Sequence, residues 1–164
     1  MIEIIPCDPE RHWEQIWTFM EGVFAKGESY PIAMDVGEAG ARAYWLAADK
    51  ETFVAVDETG TVRGSYYIRP NQPTLGAHIC NCGYVVDPEA RGQGIASQMC
   101  EHSQIHGRAV GYRGMQYNLV VSTNGGAVRL WQRHGFEILG TVPGGFHREA
   151  KDYVDAYIMF KSLV

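Results

Sequence analysis

The chain has 164 residues, of which 46% are hydrophobic and 20% charged, a mixture that supports one globular core and excludes a disordered chain. A formal net charge of -5 gives no general field for a phosphate backbone, so no nucleic-acid partner is expected. No apolar run approaches the ~20 residues of a bilayer span, the N-terminus lacks the segments of a secretory leader, and the four cysteines (Cys7, Cys80, Cys82, Cys100) are too sparse for a disulfide framework. The expectation is a single domain over residues 1–164, cytoplasmic and without membrane contact.

Residues 2–5 read as a short strand. Residues 8–25 follow as an amphipathic helix, with Trp13, Ile16, Trp17, Met20 and Phe24 at helical spacing, and Asp8 before Pro9 is an N-cap followed by an N1 proline. Residues 26–34 read as a loop and 35–48 as a second helix. Strands at 52–56 and 62–68 flank a turn containing Gly60, a hairpin pattern. Residues 77–86 form the next strand, and a glycine-rich turn opens a helix that runs to about Ala109. A strand at 115–121 and a helix at 124–134, ended by Gly135, precede closing strands at 136–142 and 153–160. This order predicts a mixed α/β sheet with helices on both faces. The two middle strand–helix units read as parallel crossovers, which place ligands at the carboxyl ends of their strands.

Chemistry concentrates in Tyr84-Val85-Val86-Asp87-Pro88-Glu89-Ala90-Arg91-Gly92-Gln93-Gly94-Ile95-Ala96. Gly92 and Gly94 remove side chains where backbone N–H groups must approach a ligand. The unpaired N–H groups and positive end of the new helix make an anion site, with Arg91 at its mouth. A pyrophosphate fits such a site, and so does an ordinary solvated turn. The G-x-x-x-x-G-K-[ST] loop is absent, and a dinucleotide fingerprint fails at its third position, where Ser97 stands.

Arg91-Gly92-Gln93-Gly94-Ile95-Ala96 resembles the R/Q-x-x-G-x-G/A signature of the GNAT superfamily of acyl-CoA-dependent N-acyltransferases. Downstream, the segment Asn124 to Phe136, with Ala127, Leu130 and Gly135 in register, resembles its N-x-x-A-x-x-L-Y-x-x-x-G-F motif. The resemblance implies a mostly antiparallel sheet in which two central parallel strands splay to admit acetyl-CoA, the co-substrate. It implies that the pantetheine arm pairs with Tyr84, Val85 and Val86, and that the pyrophosphate lies on Gly92, Gln93, Gly94, Ile95 and Ala96. Asn124 would reach the pantetheine, although a plain N-cap explains it equally. Gly83 fits a bulge that turns a backbone N–H toward the thioester carbonyl, or a glycine that accommodates packing. Where the family often has a tyrosine acid this chain has Trp131, whose indole donates a hydrogen bond but is no practical acid; packing against the core or cofactor is its expected work.

Alternation over residues 115–122 puts Gln116, Asn118, Val120 and Ser122 on one face. Asn118 and Asn81 are therefore candidates for orienting the substrate or the thioester carbonyl, or else for a buried amide network. With Tyr30-Pro31 and Val154-Asp155-Ala156 they resemble the branch that acetylates proline analogues and small amino acids. The loop over residues 143–148 lies beside the acceptor pocket by the same analogy, so His147 or Arg148 is a candidate for a substrate carboxylate and Tyr30 for a pocket wall. His78, Cys80 and Cys82 lack the spacing of a metal site, and no metal is expected. His102 and His106 read as a solvated or cleft-edge face. No G-x-S-x-G elbow occurs. The leading expectation is direct acetyl transfer to the amine of a small molecule, with a homodimer compatible by analogy. The alternatives are a catalytically silent acyl-CoA-binding module and a nucleotide-binding protein.

Overall fold

The computed structural model describes residues 1–164. In chain order the elements are β1 (Glu3–Pro6), α1 (Pro9–Lys26), α2 (Glu38–Trp45), β2 (Glu51–Val56), β3 (Val62–Pro70), β4 (Ile79–Val86), α3 (Ile95–Ala109), β5 (Gly114–Val121), α4 (Gly125–Arg133), β6 (Glu137–Arg148) and β7 (Asp152–Ser162). Helix α1 begins where Asp8 accepts from the Glu10 N–H and ends at left-handed Gly27, φ 63°, a cap worth ~1 kcal/mol at the N-terminus. None of the helices is long and apolar enough to cross a membrane.

The strands form one seven-stranded sheet in the order β1-β2-β3-β4-β5-β7-β6. Every pair is antiparallel except β4 with β5. The first expected crossover, β4–α3–β5, is therefore a parallel unit. The second is not a neighbouring pair, because β7 inserts between β5 and β6 and pairs antiparallel with both. On one face α1 and α2 bury Trp13, Ile16, Phe24 and Trp45 with Val54, Tyr67 and Val85. On the other, α3 and α4 bury Ile95, Met99 and Trp131 with Tyr66, Cys82, Met115 and Tyr117. Each fully buried large side chain contributes ~1.5–3 kcal/mol, so the sheet is packed from both sides.

The second helix is shorter than the expected residues 35–48, spanning Glu38–Trp45, and two further departures bear on the site. Residues 143–148, read from the sequence as a hairpin loop, belong to β6. The strand carries Pro143 and its glycines through an irregularity between Val142 and Phe146 and then resumes pairing at Phe146↔Val154. The alternation expected along β5 also breaks, because a bulge lies between Tyr117 and Val120. Val120 consequently joins Met115 and Tyr117 in the core, not the polar row, and Leu119 turns to the opposite side.

Candidate functional site

The pairing of β4 with β5 covers only Ile79↔Gly114 and Cys80↔Met115, after which the strands part. Two local features open this fork. The β5 bulge bends the strand toward β7, and the Asn81 side-chain amide donates to the Gln116 carbonyl at 2.9 Å. That carbonyl is thereby withdrawn from the ladder at the point where the strands begin to diverge.

Strand alternation decides which backbone groups of β4 line the fork. The Ile79 carbonyl accepts from Asn71 N–H in the β3–β4 connection, and Asp87 N–H donates to Arg63 of β3. Odd positions therefore face β3, and Cys82, Tyr84 and Val86 turn their N–H and C=O groups into the opening. The Tyr30 hydroxyl donates to the Tyr84 carbonyl at 2.5 Å, so that carbonyl does reach the fork. Val85, grouped in sequence with Tyr84 and Val86 as a cofactor contact, has its backbone toward β3 and its side chain buried among α1 and α2.

Gly83 does not sit in a bulge. The β3–β4 register is regular through Tyr67↔Gly83, and the glycine answers to a neighbour: a Cβ there would stand 2.6–2.8 Å from the ring and hydroxyl of Tyr67. The N–H groups turned toward the fork are those of Cys82, Tyr84 and Val86; sequence reading named Tyr84 and Val86 but passed over Cys82, which only register reveals.

At the far end of β4, Asp87 caps the turn by accepting from Glu89 N–H and pairs with Arg63, which also holds Asp57. The turn then runs through left-handed Gly92 (φ 79°) and Gly94 (φ 77°) into α3. The N–H groups of Gly92, Gln93, Gly94, Ile95, Ala96 and Ser97 donate to no protein acceptor, and Gly92, Gln93 and Gly94 are exposed beside the Arg91 side chain. Such an array at a helix start holds a phosphate oxygen without further side chains. The start of α3 is tied to α4 by Ser97 Oγ and His134 Nε2, 2.7 Å apart.

Asn124 caps α4, its side chain accepting from Ala127 N–H at 3.3 Å. Trp131 is 9% exposed, with its ring 4.9 Å from that of Tyr84 and 5.1 Å from that of Tyr117. The Tyr84 and Tyr117 hydroxyls bond each other at 2.9 Å, and burial pushes both phenols well up.

On the α1–α2 side lies a cavity of about 340 Å³ bounded by Tyr30, Met34, Leu119, Phe146 and His147. Tyr30 packs edge-on against Phe24 and Trp45, and burial raises its phenol well above the usual range. His147 stacks on Tyr153 at 4.5 Å. Arg148, expected beside it, is not in the wall; its guanidinium is held by Asp152 through contacts of 3.0 and 2.6 Å. Asn118 is exposed, donates to Asn71 Oδ1 at 2.7 Å and accepts from Gln116 at 3.1 Å, so Asn71, Asn81, Gln116 and Asn118 form one polar group across the fork. His102 and His106 belong elsewhere, with their rings against Phe53 and hydrogen-bonding contacts to Tyr66 and Glu51.

A forked sheet with free strand N–H groups, ending in a backbone anion nest, defines a protein that takes an extended ligand with a phosphorylated end. Residues 11–136 match the Acetyltransferase (GNAT) family, and the chain belongs to that family. A GCN5-related N-acetyltransferase from Kribbella flavida is 34% identical and superposes with a TM-score of 0.92 over 98% of this chain and 97% of that one. N-acetyltransferase aca1 of Schizosaccharomyces pombe is 34% identical over 105 residues, 63% of this chain and 50% of the relative, so the aligned region spans about half the length of that relative. A phosphinothricin acetyltransferase from Sinorhizobium meliloti, solved in complex with AcCoA, shares the fold at 18% identity and TM-score 0.86, over 98% of this chain and 88% of that one.

Proposed function

We propose that the protein is an acetyl-CoA-dependent N-acetyltransferase that moves acetyl directly to the amine of a small molecule, an amino acid or proline analogue. The observation that carries this is the fork itself: N–H groups of β4 left open at Cys82 and Tyr84, continuous with the N–H array from Gly92 to Ser97. An acyl pantetheine adds to β4 as a strand through Tyr84 and Val86, and its pyrophosphate lies on the turn with Arg91 beside it. The AcCoA complex of the Sinorhizobium protein supports the choice of donor.

The amine, once neutral, attacks the thioester carbonyl; a C–N bond forms and the carbonyl oxygen takes the electron pair. The Cys82 N–H then stabilises that oxyanion in place of the Gly83 N–H expected from sequence. The intermediate collapses with cleavage of C–S, and the amine proton leaves to solvent. A thiol with pKa about 8.5 is a tolerable leaving group as thiolate, which accommodates Trp131 in the core. Holding thioester and amine together removes much of the entropic barrier. Asn118 and Asn81 position the acceptor, Tyr30 and His147 wall its pocket, and Asn124 reaches the pantetheine while capping α4.

A homodimer is part of the same proposal, consistent with exposed Ile138, Leu139 and Val142 on edge strand β6; sedimentation reads it. The deciding experiment measures CoA thiol release from acetyl-CoA against a panel of amines, with product mass. Release that depends on one acceptor class establishes transfer. CoA binding without release for any amine would leave an acyl-CoA-binding module.

A further inference from the structure

We propose that Arg69 forms a carboxylate anchor on the acceptor side of the fork, so that the acceptor is an amine that also bears a carboxylate. The identity of the amine group rests on the transfer function proposed above; the anchor rests on geometry alone.

The register places Arg69 directly opposite Asn81, and Tyr67 opposite Gly83. Glu51 pairs with Ile68, so Lys50 continues the row beside Arg69. Residues opposed in a sheet share a face with Cβ atoms about 4.5–5.5 Å apart. Lys50, Arg69 and Asn81 thus form one row on the α1–α2 face, with Asn81 at the mouth of the fork. Asn71, two residues after Arg69, receives the Asn118 amide and joins the row to the rest of the polar group.

This row is unbalanced. Two cations stand side by side, an arrangement that destabilises a sheet. The acid bonded to Arg69 is Asp49, 3.4 Å from Nη1 and 56% exposed, a weak surface pair. Lys50 turns to the rings of Tyr44 and Tyr67, at 3.8 and 4.1 Å from their centroids, and donates to the Tyr44 carbonyl. Burial, then the nearby guanidinium, pushes its pKa down to about 8.

Arg69 Nε is the one buried side-chain nitrogen or oxygen in the protein without a hydrogen-bond partner. Native structures rarely leave such a donor unpaired away from a ligand or water site. The guanidinium edge matches a carboxylate in bidentate fashion. Arg148, the residue sequence pointed to for this purpose, already has that match in Asp152. The register puts a carboxylate on Arg69 on the face that carries Asn81, the neighbour of Cys82 along β4, and that contact gives the anchor its selectivity over a bare amine.

The test is calorimetric binding of L-amino acids, proline included, and of their carboxamides to the full-length protein saturated with CoA. At least one amino acid is expected to bind more tightly than its carboxamide. Arg69→Gln should then weaken that amino acid by on the order of 10–100-fold, the loss of a hydrogen bond to a charged group, and leave the carboxamide and CoA unchanged. Arg69→Lys, which keeps the charge without the planar edge, should recover only part. If no amino acid outbinds its carboxamide, or if Arg69→Gln weakens both alike, the anchor is wrong. Should Arg69→Gln lose CoA binding through general damage, Arg69→Lys carries the comparison. Amino-acid binding without CoA release from acetyl-CoA would remove the transfer function and leave the anchor standing.

Discussion

The Tyr30 hydroxyl donates to the Tyr84 carbonyl at 2.5 Å, which joins the segment between α1 and α2 to the strand that borders the fork. Tyr84 O is a fork-facing hydrogen-bond acceptor, the group an incoming pantetheine amide would use, and Tyr30 also walls the cavity proposed to take the amine. One side chain therefore touches both halves of the site. Tyr30→Phe keeps the ring packing against Phe24 and Trp45 and deletes the donor. Because a neutral hydrogen bond nets about 0.5–1.5 kcal/mol, acetyl-CoA should bind the variant a few-fold more tightly by calorimetry. An unchanged or weaker cofactor Kd would mean that Tyr30 does not compete for this carbonyl.

Gly83 and Tyr67 are locked sterically. A methyl at position 83 would overlap the Tyr67 ring, at 2.6 Å from Cε1, and that ring is held in turn by Trp45 at 5.0 Å and by Lys50. Gly83→Ala should cost about 1–3 kcal/mol of stability, read by urea denaturation. Combining it with Tyr67→Val should return part of that loss, with a coupling energy of about 0.5 kcal/mol or more. Additive effects would show that the ring moves freely out of the way.

The element order was legible because punctuation and period agree along most of the chain: Asp8-Pro9 and Gly27 frame α1, and Gly60 turns the β2–β3 hairpin. The glycine turn before α3 was legible for the same reason, since Gly92 and Gly94 both take positive φ. What sequence hid depends on a neighbouring strand. No glycine or proline marks the β5 bulge at Asn118-Leu119, so alternation carried Val120 to the wrong face. Gly83 looked like a bulge because its partner Tyr67 is on β3. Pro143-Gly144-Gly145 looked like a turn, but β7 is long enough to pair on both sides of it. The Arg69–Asn81 row exists only once register is known.

Asn81 opens the fork as well as lining it. Its amide holds the Gln116 carbonyl at 2.9 Å, where a backbone donor from β4 would continue the ladder. Asn81→Leu removes the competitor, and the Cys82 N–H then becomes free to pair with β5. The expected outcome is a loss of kcat of roughly 100-fold, the scale for removing one oxyanion donor, with a smaller change in acetyl-CoA affinity, because the turn from Gly92 to Ser97 is untouched. Steady-state kinetics with the best acceptor checks it. A variant that raised only the acceptor KM would assign Asn81 to substrate contact alone.

Lys50 makes stability depend on pH with a definite sign. Burial first, and Arg69 second, lower its pKa from 10.5 to about 8, so above about 8 the folded protein has released a proton that the unfolded chain keeps. The unfolded state then binds more protons, and the free energy of unfolding rises with pH. Near pH 10 the unfolded phenols begin to ionise while buried Tyr30, Tyr84 and Tyr117, raised by desolvation, stay protonated, and their contribution falls as pH rises further. From about pH 9 the thiols of Cys7, Cys82 and Cys100, raised by burial, act in the same opposing sense, so the Lys50 contribution is isolated between about pH 8 and about pH 10 only as a difference from a variant that shares those thiols. Across that range, the wild-type protein should gain stability relative to Lys50→Met, with the difference read from paired urea titrations at each pH. Parallel curves for the two proteins would show that the ammonium keeps an ordinary pKa, and that the cation pair beside the fork is already neutralised in the free protein.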